Sequence, residues 1–370
     1  MAPQETSSEQ ESAAQAVTEE LRPSIAAQST STNHQNRQAA AQVPAATAET
    51  SNVRPLEAHE WADWDKLVTS SPQGSIFCRS WWINAVVDHP LILCYFEGGR
   101  LIAGLPLAPQ KKFGIQMSLM PPLTQTWGIV MPPLNGKRAA VYSRETEIIR
   151  VFATYLKKIP FVFHQFHPNM ANWLPFYWKH FHQTTRCSYA IEDLSDLGRV
   201  WDNMAPNART KIRKVEKEGI KVSPCSVDLI FEMEVKTFAR QSKSLGQQRY
   251  RQLTGIFEAS KAQNCVECVA AIDPAGKPHA ASLFVWDEQR TYYLAGGGDP
   301  EFRASGAQSF LVWYAIQQAA GRSKAFDFCG SNVKAIDQFV RSFGPSQILF
   351  HRIVKCPWWM ILPLVATGKL

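Results

Sequence analysis

No run of apolar residues in this 370-residue chain reaches the about 18 that a membrane-crossing helix needs, so no spanning segment is expected. The opening residues, Met1-Ala2-Pro3-Gln4-Glu5, offer neither a basic nor an apolar leader region. That argues against a secretory signal and for a cytoplasmic protein. Residues 1–53 hold hardly any large apolar side chain. Rich in Ala, Gln, Ser, Thr and Glu, they cannot bury enough surface to offset their ordering entropy, and a disordered tail is expected there. The eight cysteines include no two pairs at zinc-like spacing. The C-x-x-C at Cys265-Val266-Glu267-Cys268 runs on into Val269-Ala270-Ala271-Ile272 with the alternation of a strand. Buried thiols of a reducing compartment are expected, with neither a disulfide framework nor a metal site. His164 and His167 read as polar side chains at the end of a short strand rather than as metal ligands.

What the chain does have is material for a large core. It is 45% hydrophobic, with 12 Trp and 20 Phe, and its length suits two globular units. The net charge is +7, and residues 1–53 contribute six acidic and two basic residues, which leaves +11 for the rest. A basic body favours anionic ligands: a phosphorylated cofactor, nucleic acid or an anionic membrane surface. The run Trp358-Trp359-Met360-Ile361-Leu362-Pro363-Leu364-Val365 is too short to span a bilayer. It is expected to pack on the core or to touch a membrane surface.

One stretch organises the second half. Tyr292-Tyr293-Leu294-Ala295 reads as a strand, Gly296-Gly297-Gly298 as a glycine turn, and Ser305-Gly306-Ala307-Gln308 as the start of a helix that Gly321 ends. Ser305 and Gln308 have the spacing of a capping box. A helix that opens after such a turn presents N–H groups and the positive end of its dipole to a phosphate. Gly306 would admit a close ligand, and Arg303 would add a cation. An ordinary capped core helix fits the same pattern. Upstream, Pro206 starts a helix ended by Gly219. Arg209, Arg213 and Lys217 recur at i, i+4 and i+8 along it, a stripe suited to phosphates or an anionic substrate, or simply to solvent. Strands are expected at residues 220–225, 265–272, 280–286, 291–295, 325–328 and 347–354. Helices are expected at 227–241, 249–262 and 333–342.

This order of helices, antiparallel meander, helix, strand, helix and strand resembles the GNAT acyltransferase fold. The residues sharpen the likeness. Phe326-Asp327-Phe328-Cys329-Gly330-Ser331, then Phe339-Val340-Arg341-Ser342-Phe343-Gly344, resemble the paired signature of the BioF2-like acetyltransferase and FemAB families. Arg209 to Ile220, Gly99 to Leu107 and Pro121-Pro122-Leu123-Thr124 are similar to segments of the same superfamily. The resemblance runs from about Leu56 to Val354. It implies an α/β (α+β) fold of two GNAT-like domains, each a mixed, mostly antiparallel sheet flanked by helices. The first, degenerate domain would be 54–190, the second 191–357, and 358–370 an apolar tail.

The resemblance also implies an N-acyltransferase, moving an acyl group, acetyl in the BioF2-like acetyltransferases, from acyl-CoA to an amine acceptor without a metal. Arg303, Ser305, Gly306, Ala307 and Gln308 would then hold the pyrophosphate. Asp327 would serve the acceptor amine, and Arg209, Arg213, Ser331, Asn332 and Arg341 would line the substrate side. The acceptor would be a small molecule or a cell-envelope or polysaccharide amine. Nucleic acid would enter only in the alternative, a FemAB-type transferase that uses aminoacyl-tRNA to build peptidoglycan bridges. In those enzymes a lysine follows the phenylalanine equated with Phe339. Here Val340 stands there, which favours acyl-CoA. A non-catalytic GNAT-like binding module is the third reading.

Overall fold

The computed structural model describes residues 52–112, 114–239, 244–330 and 334–359. The expected tail thus lies almost wholly outside the described residues, as do Ser331 and Asn332. The chain opens on strand β1 (Val53–Pro55), helix α1 (Trp61–Ser70) and helix α2 (Ser80–Val86). The apolar runs on either side of Gly98-Gly99 then form a hairpin, β2 (Leu91–Glu97) and β3 (Arg100–Leu107), which closes a three-stranded sheet β1-β2-β3. A second hairpin, β4 (Pro109–Lys112) and β5 (Ile115–Ser118), leads into the Pro-punctuated segment that reads as a long loop. That loop is anchored by indoles. Trp82 Nε1 donates to Thr124 Oγ1 at 3.0 Å, and Trp127 Nε1 donates to the Phe77 carbonyl at 2.7 Å. Helix α3 (Arg138–Leu156), strand β6 (Phe161–Gln165), the short helix α4 (Leu174–Tyr177) and strand β7 (His182–Ile191) complete the first half.

The second half starts with α5 (Leu197–Asn203) and α6 (Pro206–Lys217), then β8 (Lys221–Pro224), α7 (Val227–Ala239) and α8 (Gln247–Ala262). The meander follows as β9 (Val266–Ile272), β10 (Pro278–Trp286) and β11 (Arg290–Gly298). Helix α9 (Ala307–Ala319), strand β12 (Ala325–Asp327), helix α10 (Lys334–Arg341) and strand β13 (Ser346–Lys355) end the fold.

The two halves share one sheet. Ten strands run in the order β4-β5-β6-β13-β7-β12-β11-β10-β9-β8. The last strand is inserted between two strands of the first half: β13 pairs antiparallel with β6 and β7, from Ser346 opposite Ala190 to Val354 opposite His182. They also share a core, in which Trp64, Trp82 and Trp127 pack in one cluster with Met233, Leu253 and Tyr292. At the centre, β11 and β12 lie parallel, with Tyr292 beside Asp327.

The glycine turn predicted after Ala295 is not a turn. Strand β11 continues through Gly298, and Gly297 is where α7 meets it. A Cβ at Gly297 would lie 2.2 Å from the Met233 carbonyl oxygen and 2.7 Å from Thr237 Oγ1. The missing side chain therefore lets a helix backbone approach a strand.

His164 lies fully buried in β6, with Nε2 2.9 Å from Ser118 Oγ, and burial holds its pKa down to about 4. Unfolded histidine titrates near 6.5, so between those values the unfolded chain binds the extra proton. Stability should fall as pH drops through that window, by roughly 2–3 kcal/mol for this residue between pH 7 and 4.5. Urea midpoints at the two pH values, compared between the parent and His164→Asn, check this: the variant should lose less.

Candidate active site

Adjacent parallel strands whose following helices diverge leave a crevice at their carboxyl ends, where ligands bind in open α/β sheets. Here β11 and β12 pair only as far as Tyr292 and Asp327. Immediately beyond, β11 bulges: Leu283 faces Ala295 and Phe284 faces Tyr293, so Leu294 is left out of the ladder with β10. The backbone of Tyr293 and Leu294 therefore has no β12 ladder on one side and a broken ladder on the other.

Above this break sits the start of α9. The capping box does not form. Gly306, in the left-handed region at φ 88°, is the N-cap. Ser305 Oγ instead accepts the Ala307 N–H at 3.2 Å. Gln308 turns into the sheet, where its Nε2 donates to Ser282 Oγ at 2.7 Å and to the Tyr293 hydroxyl at 2.8 Å. Its Oε1 is buried without a partner. The physical reason is local: Ser305 lies one position too early to cap, because the chain needs a positive φ at Gly306 to turn into the helix. A Cβ at Gly306 would meet the Lys211 Cβ at 2.9 Å and the Lys211 carbonyl oxygen at 3.2 Å. The close approach that this glycine permits is thus to helix α6.

That contact brings α6 cations to the helix mouth. Lys214 Nζ donates to the Ala304 carbonyl at 3.3 Å, and Arg303 is exposed on the turn before the helix. A cavity of about 260 Å³ opens between α6, α9 and α10, lined by Asn207, Lys211, Ser309, Gln338, Phe339 and Ser342 among others. The expected stripe of α6 lies elsewhere. Arg209 Nη1 is 3.5 Å from Asp202 Oδ1, and the Arg213 guanidinium sits over the Trp201 ring at 5.4 Å, so both engage helix α5. Arg341 is half exposed and pairs with Asp337, one turn back on α10, at 3.0 Å. Lys211 was missed, although the sequence held a signal. Ala208, Ile212 and Val215 are the buried stripe of α6, and Lys211 occupies the i+3 place within it. A lysine on an apolar stripe points to an anion or a cavity.

Asp327 closes β12 at the floor of the crevice and is buried. Its Oδ1 accepts from the Cys329 N–H at 2.8 Å, Ser188 Oγ at 3.0 Å and Gln125 Nε2 at 3.3 Å. Its other oxygen is 3.8 Å from Arg290 Nη1, an atom buried without a hydrogen-bond partner. Burial raises the Asp327 pKa, and the Arg290 charge opposes the rise. His167 is held down to about 4 by burial and by Arg290. Cys329, at φ 48°, has its thiol pushed up by burial and by the Asp327 charge, so it is no thiolate nucleophile. The two cysteines of the C-x-x-C, Cys265 and Cys268, are free thiols pushed up to about 12 by burial. Among the described residues no group of three or more His, Cys, Asp or Glu is placed to hold a metal ion, and no helix is long and apolar enough to cross a membrane.

Residues 203–339, which include the meander, α9, β12 and the start of α10, match the acetyltransferase (GNAT) domain family. The second half of the chain accordingly carries a GNAT-type acyltransferase domain. No curated protein matches the sequence. Among solved structures the chain is similar to the crystal structure of FemX, with a TM-score of 0.62 at 11% identity over 81% of this chain and 96% of that one. It is also similar to the C-terminal domain (DUF2156) of a putative lysylphosphatidylglycerol synthetase from Agrobacterium fabrum. There the TM-score is 0.50 at 10% identity, over 84% of this chain and 99% of that one. At such identities the likeness speaks to the fold.

Proposed function

We propose that the protein transfers an acyl group from acyl-CoA to a primary amine of a small-molecule or cell-envelope acceptor, in the manner of the BioF2-like enzymes. The observation that carries this reading is the mouth of α9: a helix N-terminus with few side-chain acceptors, Lys211 and Arg303 nearby, and a cavity alongside. The pyrophosphate would take the N–H groups of Gln308 and Ser309 and the Lys211 ammonium. The thioester would extend toward the parting of β11 and β12, where the Leu294 N–H would stabilise a developing oxyanion. Asp327 would accept the amine proton as the amine attacks the thioester carbon and the CoA thiolate leaves. Val340, buried at 1% exposure, offers no lysine of the FemAB kind. In this reading residues 54–190 contribute Gln125, His167 and Ser188 to the acceptor side, and 191–357 hold the acyl donor.

Calorimetric titration with acetyl-CoA tests the donor site. The parent should bind in the micromolar range, Lys211→Glu should lose at least about tenfold, and Arg213→Ala should bind like the parent. Absence of heat with every acyl-CoA tried would remove this reading. The donor would then be sought among aminoacyl-tRNAs, whose binding should fall steeply with salt.

A further inference from the structure

The positive charge of the chain is concentrated. Between Glu97 and Glu192 there are eleven Lys and Arg against two acidic residues, Glu145 and Glu147, and no acidic residue follows Asp337. The sheet register gathers much of this charge at one end. Strand β7 begins at His182 opposite Val354, and Lys355, the last residue of β13, faces Val162 at the start of β6. Because β5 runs parallel to β6 with Ser118 beside Val162, the tip of the β4–β5 hairpin projects past that same end. The hairpin tip, the α3–β6 turn, the α4–β7 turn and the exit of β13 therefore form one surface. It carries Lys111, Lys157, Lys179 and Lys355, with His180 and His182 exposed among them. Lys355 Nζ donates to the carbonyls of Lys157 and Ile159, both at 2.7 Å, which fixes the exit of β13 against the end of α3.

The same surface carries most of the exposed large apolar side chains. Of eight in the described residues, five lie here: Leu174, Tyr177, Trp178, Trp358 and Trp359, the last two 82% and 54% exposed. Beyond Trp359 the sequence continues Met360-Ile361-Leu362-Pro363-Leu364-Val365, apolar and without an acid. That segment cannot neutralise the lysines, and a second copy of the chain would bring the same charge. The surface calls for an occupant that is anionic at its face and apolar just beneath it. Tryptophan and tyrosine settle at the headgroup level of a bilayer, and lysine clusters draw to anionic lipid. The aliphatic Leu174 has no flat face to stack on a nucleobase.

We propose that this end of the sheet docks on an anionic lipid bilayer. The docking also orients the acyl-transfer crevice. Strands β11 and β12 point their carboxyl ends the same way, and from Ala190, opposite Asp327, to His182 is about 26 Å along β7 at ~3.3 Å per residue. A docked protein would face its crevice toward the membrane. The docking itself does not depend on the acyl-transfer reading.

Vesicle flotation of the full chain tests the proposal, using phosphatidylcholine vesicles with and without about one-third phosphatidylglycerol. Three forms are compared with the parent: Trp178→Ala/Trp358→Ala, Lys111→Glu/Lys157→Glu, and a chain ending at Trp359. The parent should float with the anionic vesicles, at least about tenfold less with the neutral ones, and less again in high salt. Each double variant should lose at least about tenfold while keeping its circular dichroism spectrum, and the shortened chain should still bind. Failure of the parent to float would overturn the proposal. So would variants that float like the parent, loss of binding only in the shortened chain, or binding of tRNA rather than vesicles by this surface.

Discussion

Gly297→Val should leave the chain without a cooperative unfolding transition, and Gly297→Ala should cost about 3 kcal/mol or more. The new Cβ falls 2.2 Å from the Met233 carbonyl oxygen, an atom of the α7 backbone that no rotamer can move aside. Relief requires lifting α7 from β11. That would expose Met233 and Ile230, both fully buried in the core shared by the two halves, and break the Gly298 N–H bond to Thr237 Oγ1 at 3.0 Å. The neighbouring Gly298 supplies the control. A Cβ there meets nothing closer than the His279 carbonyl oxygen at 3.4 Å, so Gly298→Ala should stay within about 1 kcal/mol of the parent. Urea denaturation followed by circular dichroism separates the two. Equal losses at Gly297 and Gly298 would mean that strand glycine entropy, rather than the α7 contact, sets the cost.

The same glycines show where reading the sequence reached its limit. A Gly-Gly-Gly run after a β-rich segment has the composition of a turn, and nothing local distinguishes it from a strand that must admit a helix. The difference is made by Met233 and Thr237, some sixty residues earlier in the chain. Strong local patterns fared better. The meander, α6 between Pro206 and Gly219, and α9 ahead of Gly321 follow from alternation, helical spacing and their end signals, and they appear within a few residues of expectation. The join between the halves was not legible. The alternation of β13 marks it as a strand, but only tertiary pairing inserts it between β6 and β7 and makes two expected sheets into a continuous ten-stranded one. For the site, chain order gave the helix that follows β11 and the strand that ends on Asp327. It did not give the partners of Asp327, because Gln125, Ser188 and Arg290 come from three distant elements. Charge spacing on α6 drew attention to Arg209 and Arg213, whereas the cavity is lined by the exposed Lys211.

Asp327→Asn should lower kcat by about 10²–10³ with whichever primary amine supports turnover, while acyl-CoA affinity stays within about threefold. The asparagine can keep Oδ1 as acceptor for the Cys329 N–H, Ser188 and Gln125, so the turn after β12 should hold. What it cannot do is take a proton from the amine or neutralise Arg290. Losing the anion beside a buried guanidinium should cost about 2–3 kcal/mol, less than the full penalty because Arg290 also pairs with Glu192 at 2.9 Å. The pH profile carries the decisive sign. Burial raises the Asp327 pKa, and the base works only when ionised, so the parent rate should fall as pH drops through that raised value. The variant should lack this acid limb. A stable Asp327→Asn enzyme with parental kcat and an unchanged pH profile would make Asp327 a structural anion that ties Arg290 to the floor of the crevice. The proton would then have to leave by another group facing the same cleft. His167, held near pKa 4 and therefore neutral at pH 7, would be the next residue to replace.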